Sequence, residues 1–223
     1  MPLFLPFRDR THAGQELAQI LGAELNSNHP DSTISPVVYA LPKGGLPVAA
    51  PIARQLNCAL EVIVAKKITH LDNPELALGA VTADGEVIWS RRKPESLEEQ
   101  QTLLQAAQIK ASDQLEAFSA YCPNLDPQGM LALVVDDGVA TGMTMAVALK
   151  SLKAKQPREI WICVPLAPLE LIQVLESWCD RLITLTTPRI FPSVGRFYQQ
   201  FAQVDAGEAI AILQNQQTWF SLD

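Results

Sequence analysis

What the chain lacks first is a cluster of basic residues. Its 17 lysines and arginines are scattered among 24 acids, for a formal charge of −7. That balance argues against a sequence-independent grip on nucleic-acid phosphates, while leaving room for one local anionic ligand. Cysteine is sparse: Cys58, Cys122, Cys163 and Cys179 include no CxxC pair, and His12, His29 and His70 lie far apart. Neither a zinc site nor a disulfide framework is expected from such spacing. No window approaches the ~20 apolar residues of a membrane span. The opening MPLFLPFRDR is short, is broken by Pro2 and Pro6, and carries Arg8 and Arg10 after its apolar part, unlike a signal peptide. A cytoplasmic protein with no membrane or nucleic-acid partner is the expectation. No GxGxxG follows a strand-like run and no GxSxG occurs, which removes a dinucleotide-binding oxidoreductase and a serine hydrolase.

What is present is a hydrophobic content of 48%, enough for one sizeable core, and residues 1–223 read as a single domain. Residues 11–25 place Ala13, Leu17, Ile20, Leu21 and Leu25 at helical spacing, with Thr11 as the cap. SPVVYALPKGG reads as strand and tight loop, and LPVAAPIARQLN as the helix after it. LEVIVAKKI reads as one buried strand carrying Lys66 and Lys67, and GAVTADGEVIW as a hairpin about Asp84 and Gly85. Ser96 and Glu99 form a capping box for a long helix whose inner face would be Leu97, Leu104, Ala107, Ala111, Leu115 and Phe118. LALVV, DDGVATG and MTMAVALKSLKAK repeat the strand, loop, helix order; EIWICVPLA and RLITLTT add strands, with PLELIQVLESW helical between them. Trp161 reads as core, and Arg91, Arg92 and Lys93 as a solvated turn.

Strands that alternate with helices and are apolar almost throughout predict an α/β fold, a mainly parallel sheet flanked by helices on both faces. Ligands on such sheets bind outside the carboxyl ends of the strands, which groups loops 42–46, 66–69 and 136–144. In the last of these, Gly138 and Gly142 allow tight turns, and Thr141 and Thr144 add hydroxyls at a helix N-terminus, a setting that suits a phosphate. Asp136 and Asp137 would repel that phosphate. They call instead for hydroxyl donors or a divalent cation. A phosphorylated ribose carrying a metal-bound polyphosphate satisfies both halves of the loop.

VVDDGVATGMT resembles the PRPP-binding signature of type I phosphoribosyltransferases, departing from it at Gly138, where many members carry an aliphatic residue. LPKGGLPVAAPIARQL is similar to the family's pyrophosphate loop and following helix, with Lys43 where Arg is usual, and VAKKITHLDNPELALGAV to a subgroup of members described only in general terms. The likeness covers about residues 7–213. It implies Mg²⁺-dependent transfer of the phosphoribosyl group of PRPP to a base, with loss of pyrophosphate through an oxocarbenium-like transition state and no covalent nucleophile.

By the same resemblance, Asp136 and Asp137 bind the ribose hydroxyls directly or through Mg²⁺, and Gly138, Val139, Ala140, Thr141, Gly142, Met143 and Thr144 hold the 5-phosphate. Pro42, Lys43, Gly44 and Gly45 contact pyrophosphate, and Lys66 or Lys67 neutralises it. It further implies a flap at about 70–90, a small hood at about 186–223, and a homodimer. Ala140 stands where hypoxanthine-guanine enzymes carry Asp, which points away from a 6-oxopurine acceptor. Phe191, Phe197 and Tyr198 are available to stack on a base, although packing is the more ordinary use of such residues. Lys43 in place of Arg and the lack of a clear base reader leave a second reading open: a non-catalytic PRPP- or nucleotide-binding regulator of the same fold.

Overall fold

Leu131, Ala132, Leu133, Val134 and Val135 are all fully buried, which a strand permits only when a layer covers each of its faces. The computed structural model, which describes residues 6–28, 35–70 and 72–220, shows those layers. Leu71 of the expected flap and residues 221–223 of the expected hood lie outside the described residues. In chain order the elements are α1 (Arg10–Asn28), β1 (Pro36–Ala40), α2 (Gly45–Leu56), β2 (Ala59–Val62), β3 (Ala65–His70), β4 (Asn73–Thr82) and β5 (Val87–Trp89). They continue as α3 (Leu97–Ser119), β6 (Leu131–Val135), α4 (Met143–Ala154), β7 (Glu159–Leu166), α5 (Ile172–Glu176), β8 (Arg181–Thr186) and α6 (Ala206–Asn215).

Five strands form a parallel sheet in the order β2-β1-β6-β7-β8. Alternation along each strand feeds two cores. Val38, Ala40, Leu133 and Val135 meet Leu17 and Leu21 of α1, Ile52 of α2, Phe118 of α3 and Leu213 of α6. Val37, Tyr39, Ala132 and Val134 meet Met145, Leu149 and Leu152 of α4 and Leu175 of α5. Trp161 is buried in the first core, as its apolar strand predicts.

A second sheet, β3-β4-β5, is antiparallel and packs Ile68, Leu78 and Val81 on Leu103 and Ala107 of α3. LEVIVAKKI is therefore two strands rather than one. β2 ends at the level of Ala40, whose carbonyl takes the Ile63 amide at 3.0 Å, and the chain then crosses into the small sheet. Ile63 and Val64, which join the two strands, are themselves buried, so the apolar run continues across the break and conceals it.

Two local expectations shift. Asp9 Oδ1, not Thr11, accepts from the His12 amide at the start of α1, at 2.7 Å. On α3 the Ser96 cap is in place, accepting from the Glu99 amide, but Leu97 is 79% exposed, and Leu103 takes the inner position with Ala107 against Ile68, Leu78 and Val81. The hairpin turn at Asp84 and Gly85 exists and is docked on α4. Asp84 Oδ2 accepts from Ser151 Oγ at 2.6 Å, and Lys150 pairs with Glu86 at 2.9 Å.

Candidate active site at the ends of β1 and β6

Register sets the site. Ala40 lies opposite Val135, and the Leu41 amide donates to the Val135 carbonyl at 2.9 Å, so the loops after β1 and β6 leave the sheet side by side. Each runs into a helix; the Gly45 and Leu46 amides at the start of α2 are taken by the Leu41 and Lys43 carbonyls, whereas a helix end with unpaired amides favours an anion.

In the loop after β6, the Val139 amide is anchored to the Leu166 carbonyl at 3.0 Å. Gly142 then opens α4 with φ of 74°, a conformation that costs an L side chain and not glycine. No side chain caps this helix, and the amides of residues 140–144 donate to no protein acceptor among the described residues. The loop borders a cavity of about 200 Å³, to which Lys67, Asp136, Thr141 and Thr144 contribute. At Gly138 a Cβ would come within 2.9 Å of Val194, so the departure from an aliphatic residue matches a tighter contact beneath the loop.

A second cavity, of about 350 Å³, shares Asp136 and Thr144 with the first. Pro42, Lys43 and Gly44 line it from the β1 loop, both acids from the β6 loop, and Arg10, Phe201 and Gln203 from elsewhere. Asp136 Oδ1 accepts from the Asp137 amide at 2.8 Å. Asp137 Oδ2 accepts from Arg10 Nε at 2.7 Å, with side chains only 14% and 11% exposed. Burial raises both carboxyl pKa values, the charge of Asp137 raises that of Asp136 further, and Arg10 opposes the rise at Asp137. Carboxylates this desolvated favour a cation or hydroxyl donors beside them.

Successive residues on β3 point to opposite faces. Lys67 reaches the cavity under the α4 loop. Lys66 is half-buried, and its pKa is lowered by burial first, then by the charges of Lys43 and Lys110. Three of the residues predicted for the site, Lys66, Gly45 and Met143, line neither cavity. Gly45 lies in the wall, where a Cβ would stand 2.8 Å from the Val135 carbonyl oxygen.

The segment above the site is built from both ends of the described chain. Phe7 bridges to Tyr198 in parallel, its amide donating to the Phe197 carbonyl at 3.3 Å and its carbonyl accepting from the Gln199 amide at 2.9 Å. α6, within the expected hood range, packs instead on the α2 side of the main core. Phe191 stacks on Phe197 with ring centroids 5.3 Å apart, and Tyr198 is buried, its hydroxyl donating to the Asp137 carbonyl at 2.6 Å. These three aromatics pack. Phe201, Gln203 and Arg10 reach the cavity and were not evident in the sequence: nothing in FRDR or FAQV marks a partner 127 residues away, the separation of Arg10 and Asp137. A larger groove of about 520 Å³ between α1, α2 and α6 carries no acid and none of this chemistry.

An open parallel sheet with an acid pair at the carboxyl edge of its strands places the chain among the α/β proteins whose ligands bind outside the strand ends. The chain belongs to the phosphoribosyl transferase family, matching the Phosphoribosyl transferase domain over residues 10–199. Two Mycobacterium tuberculosis proteins, putative phosphoribosyl transferase MT0597 (strain CDC 1551) and putative phosphoribosyl transferase Rv0571c (strain H37Rv), are each 32% identical to it over 211 residues, 93% of this chain and 46% of theirs. The chain thus spans about half the length of the curated relatives it matches. The crystal structure of TT1426 from Thermus thermophilus is 32% identical, with a TM-score of 0.76 over 96% of this chain and 99% of that one. Among the described residues, no helix is long and apolar enough to cross a membrane.

Proposed function

We propose that the chain transfers the 5-phosphoribosyl group of PRPP to a nitrogenous base or related acceptor and releases pyrophosphate. One observation carries the reading: a single loop presents two desolvated acids and, within the next turn, a run of uncommitted amides at a helix N-terminus. A sugar diol donates to the acids and a 5-phosphate accepts from the amides of residues 140–144, from Thr141 and Thr144, and from Lys67. Pyrophosphate lies against Pro42, Lys43 and Gly44, with Lys66 behind them as a second cation.

Among the described residues no three His, Cys, Asp or Glu side chains form a metal site. Asp136 and Asp137 nevertheless offer hard carboxylate oxygens to a Mg²⁺ completed by ligand oxygens, which is how this ion is usually held. When bound, Mg²⁺ supplies charge neutralisation at the departing pyrophosphate. The chain's own residues do the rest. Lys43 and Lys66 stabilise the leaving charge, the acids favour positive charge growing on the ribose ring, and the β6 loop holds the sugar in line. The β3-β4 hairpin rises beside the site from Ala65 and Lys67, and its outer end around His70 and Asp72, rather than the docked turn at Asp84, is the part that covers the sugar and excludes water.

The test is pyrophosphate release from PRPP and Mg²⁺ across a panel of purine, pyrimidine and simpler nitrogen acceptors. Release with one of them is the expected result. PRPP binding with no acceptor consumed would turn the reading to a non-catalytic binding protein, and failure to bind PRPP at all would remove both.

A further inference from the structure

The acid pair has a counter-ion that the family likeness did not supply. Arg10, the first residue of α1, is held at three points: Nε on Asp137 Oδ2 at 2.7 Å, Nη1 on the Ala202 carbonyl at 2.7 Å, and the guanidinium carbon 3.7 Å from the centre of the Phe201 ring. Phe201 is packed in turn on Tyr198, ring centroids 5.1 Å apart, and Tyr198 donates to the Asp137 backbone carbonyl. The side chain and the backbone of Asp137 are thus both tied to the same layer, through an ion pair with little access to water. Asp136 differs. Its contact with the protein is the Asp137 amide on Oδ1, and it is the acid that lines both the phosphate-side and the pyrophosphate-side cavity, whereas Asp137 lines one.

Two adjacent acids in one loop therefore occupy different situations. A planar guanidinium can make an ion pair, a second hydrogen bond and a stacking contact at once, and an ammonium cannot. We propose that Arg10 is a positioning residue: it holds Asp137 through Oδ2, locks the β6 loop to the Phe7 and Tyr198 layer, and leaves Asp136, the less engaged of the two acids, as the main contact for the ligand. The proposal rests on the phosphoribosyl reading of this site.

It is tested by a double-mutant cycle on the binding of ribose 5-phosphate, in the presence of Mg²⁺, measured by calorimetry. Arg10→Met and Asp137→Asn each weaken binding by about tenfold, the scale of one buried charged hydrogen bond, and the double variant binds no worse than either. Arg10→Lys recovers part of the loss. Asp136→Asn removes measurable binding. If the effects of Arg10→Met and Asp137→Asn multiply, or if Asp136→Asn binds like the wild type, the positioning role is wrong. Wild-type protein that binds neither ribose 5-phosphate nor PRPP would instead bring down the site reading together with this proposal. Should Arg10→Met not fold, Arg10→Gln takes its place in the cycle with the same two outcomes.

Discussion

Gly44 has no side chain because there is no room for one: a methyl there would collide with the Asp137 carboxylate. Gly44→Ala is expected to fold, since the position lies in a loop at the cavity edge, yet to lower turnover by about a hundredfold through displacement of the acid. Circular dichroism and pyrophosphate release measure the two halves of that expectation. Burial pushes Cys58 and Cys122 up to about 12, so at pH 8 both stay protonated and react slowly with a disulfide reagent in the native state. Rapid native-state labelling of Cys122 would contradict its packing beside Glu61. At this scale the acids, the Lys43 loop and the threonines of the β6 loop were readable from residue type and order alone. Arg10 and Phe201 were not, because their roles depend on contacts between distant parts of the chain.

Among the elements, the small antiparallel sheet is the part whose attachment matters most for the site, since β3 carries Lys66 and Lys67 past it. Its far turn is fixed to α4 by Asp84, which accepts from Ser151 and Thr82 and lies 3.8 Å from Lys155. Asp84→Ala should cost about 1–3 kcal/mol of stability, read as a lower urea midpoint, because it leaves the buried Ser151 and Thr82 hydroxyls without their acceptor. An unchanged midpoint would mean that the turn is not docked in solution. At the start of α1, Asp9→Ala removes the cap and should cost about 1 kcal/mol. Because that cap fixes the first turn, where Arg10 sits, the variant should also weaken ribose 5-phosphate binding. Periodicity found these elements, while the split of LEVIVAKKI lay beyond it, since Ile63 and Val64 at the junction are as buried as the strand before them.

For the whole molecule, one buried acid ties pH to stability. Glu61 on β2 is 5% exposed; burial raises its pKa, while the Leu125 amide, donating to Oε1 at 2.9 Å, opposes the rise. An acid whose folded pKa stands above its unfolded value keeps its proton longer in the native state. The folded form therefore binds more protons than the unfolded one between the two values, and stability falls as pH rises through that interval. Glu61→Gln retains an acceptor for the Leu125 amide and removes the charge. It should raise the urea midpoint at pH 7 and leave it unchanged at pH 4, below the interval. A variant less stable than wild type at pH 7 would show that the ionised carboxylate, not its neutral form, suits the site.

The sequence by itself determined the layered parallel sheet and the grouping of two acids and two threonines in the loop after β6, because strand burial and loop composition are written in contiguous residues. Tertiary structure alone decided which acid is tethered, which lysine faces which cavity, and that residues near both ends of the described chain meet above the acid pair. Those outcomes depend on strand register and on side chains brought together across the fold, and neither is encoded in the local order of residue types.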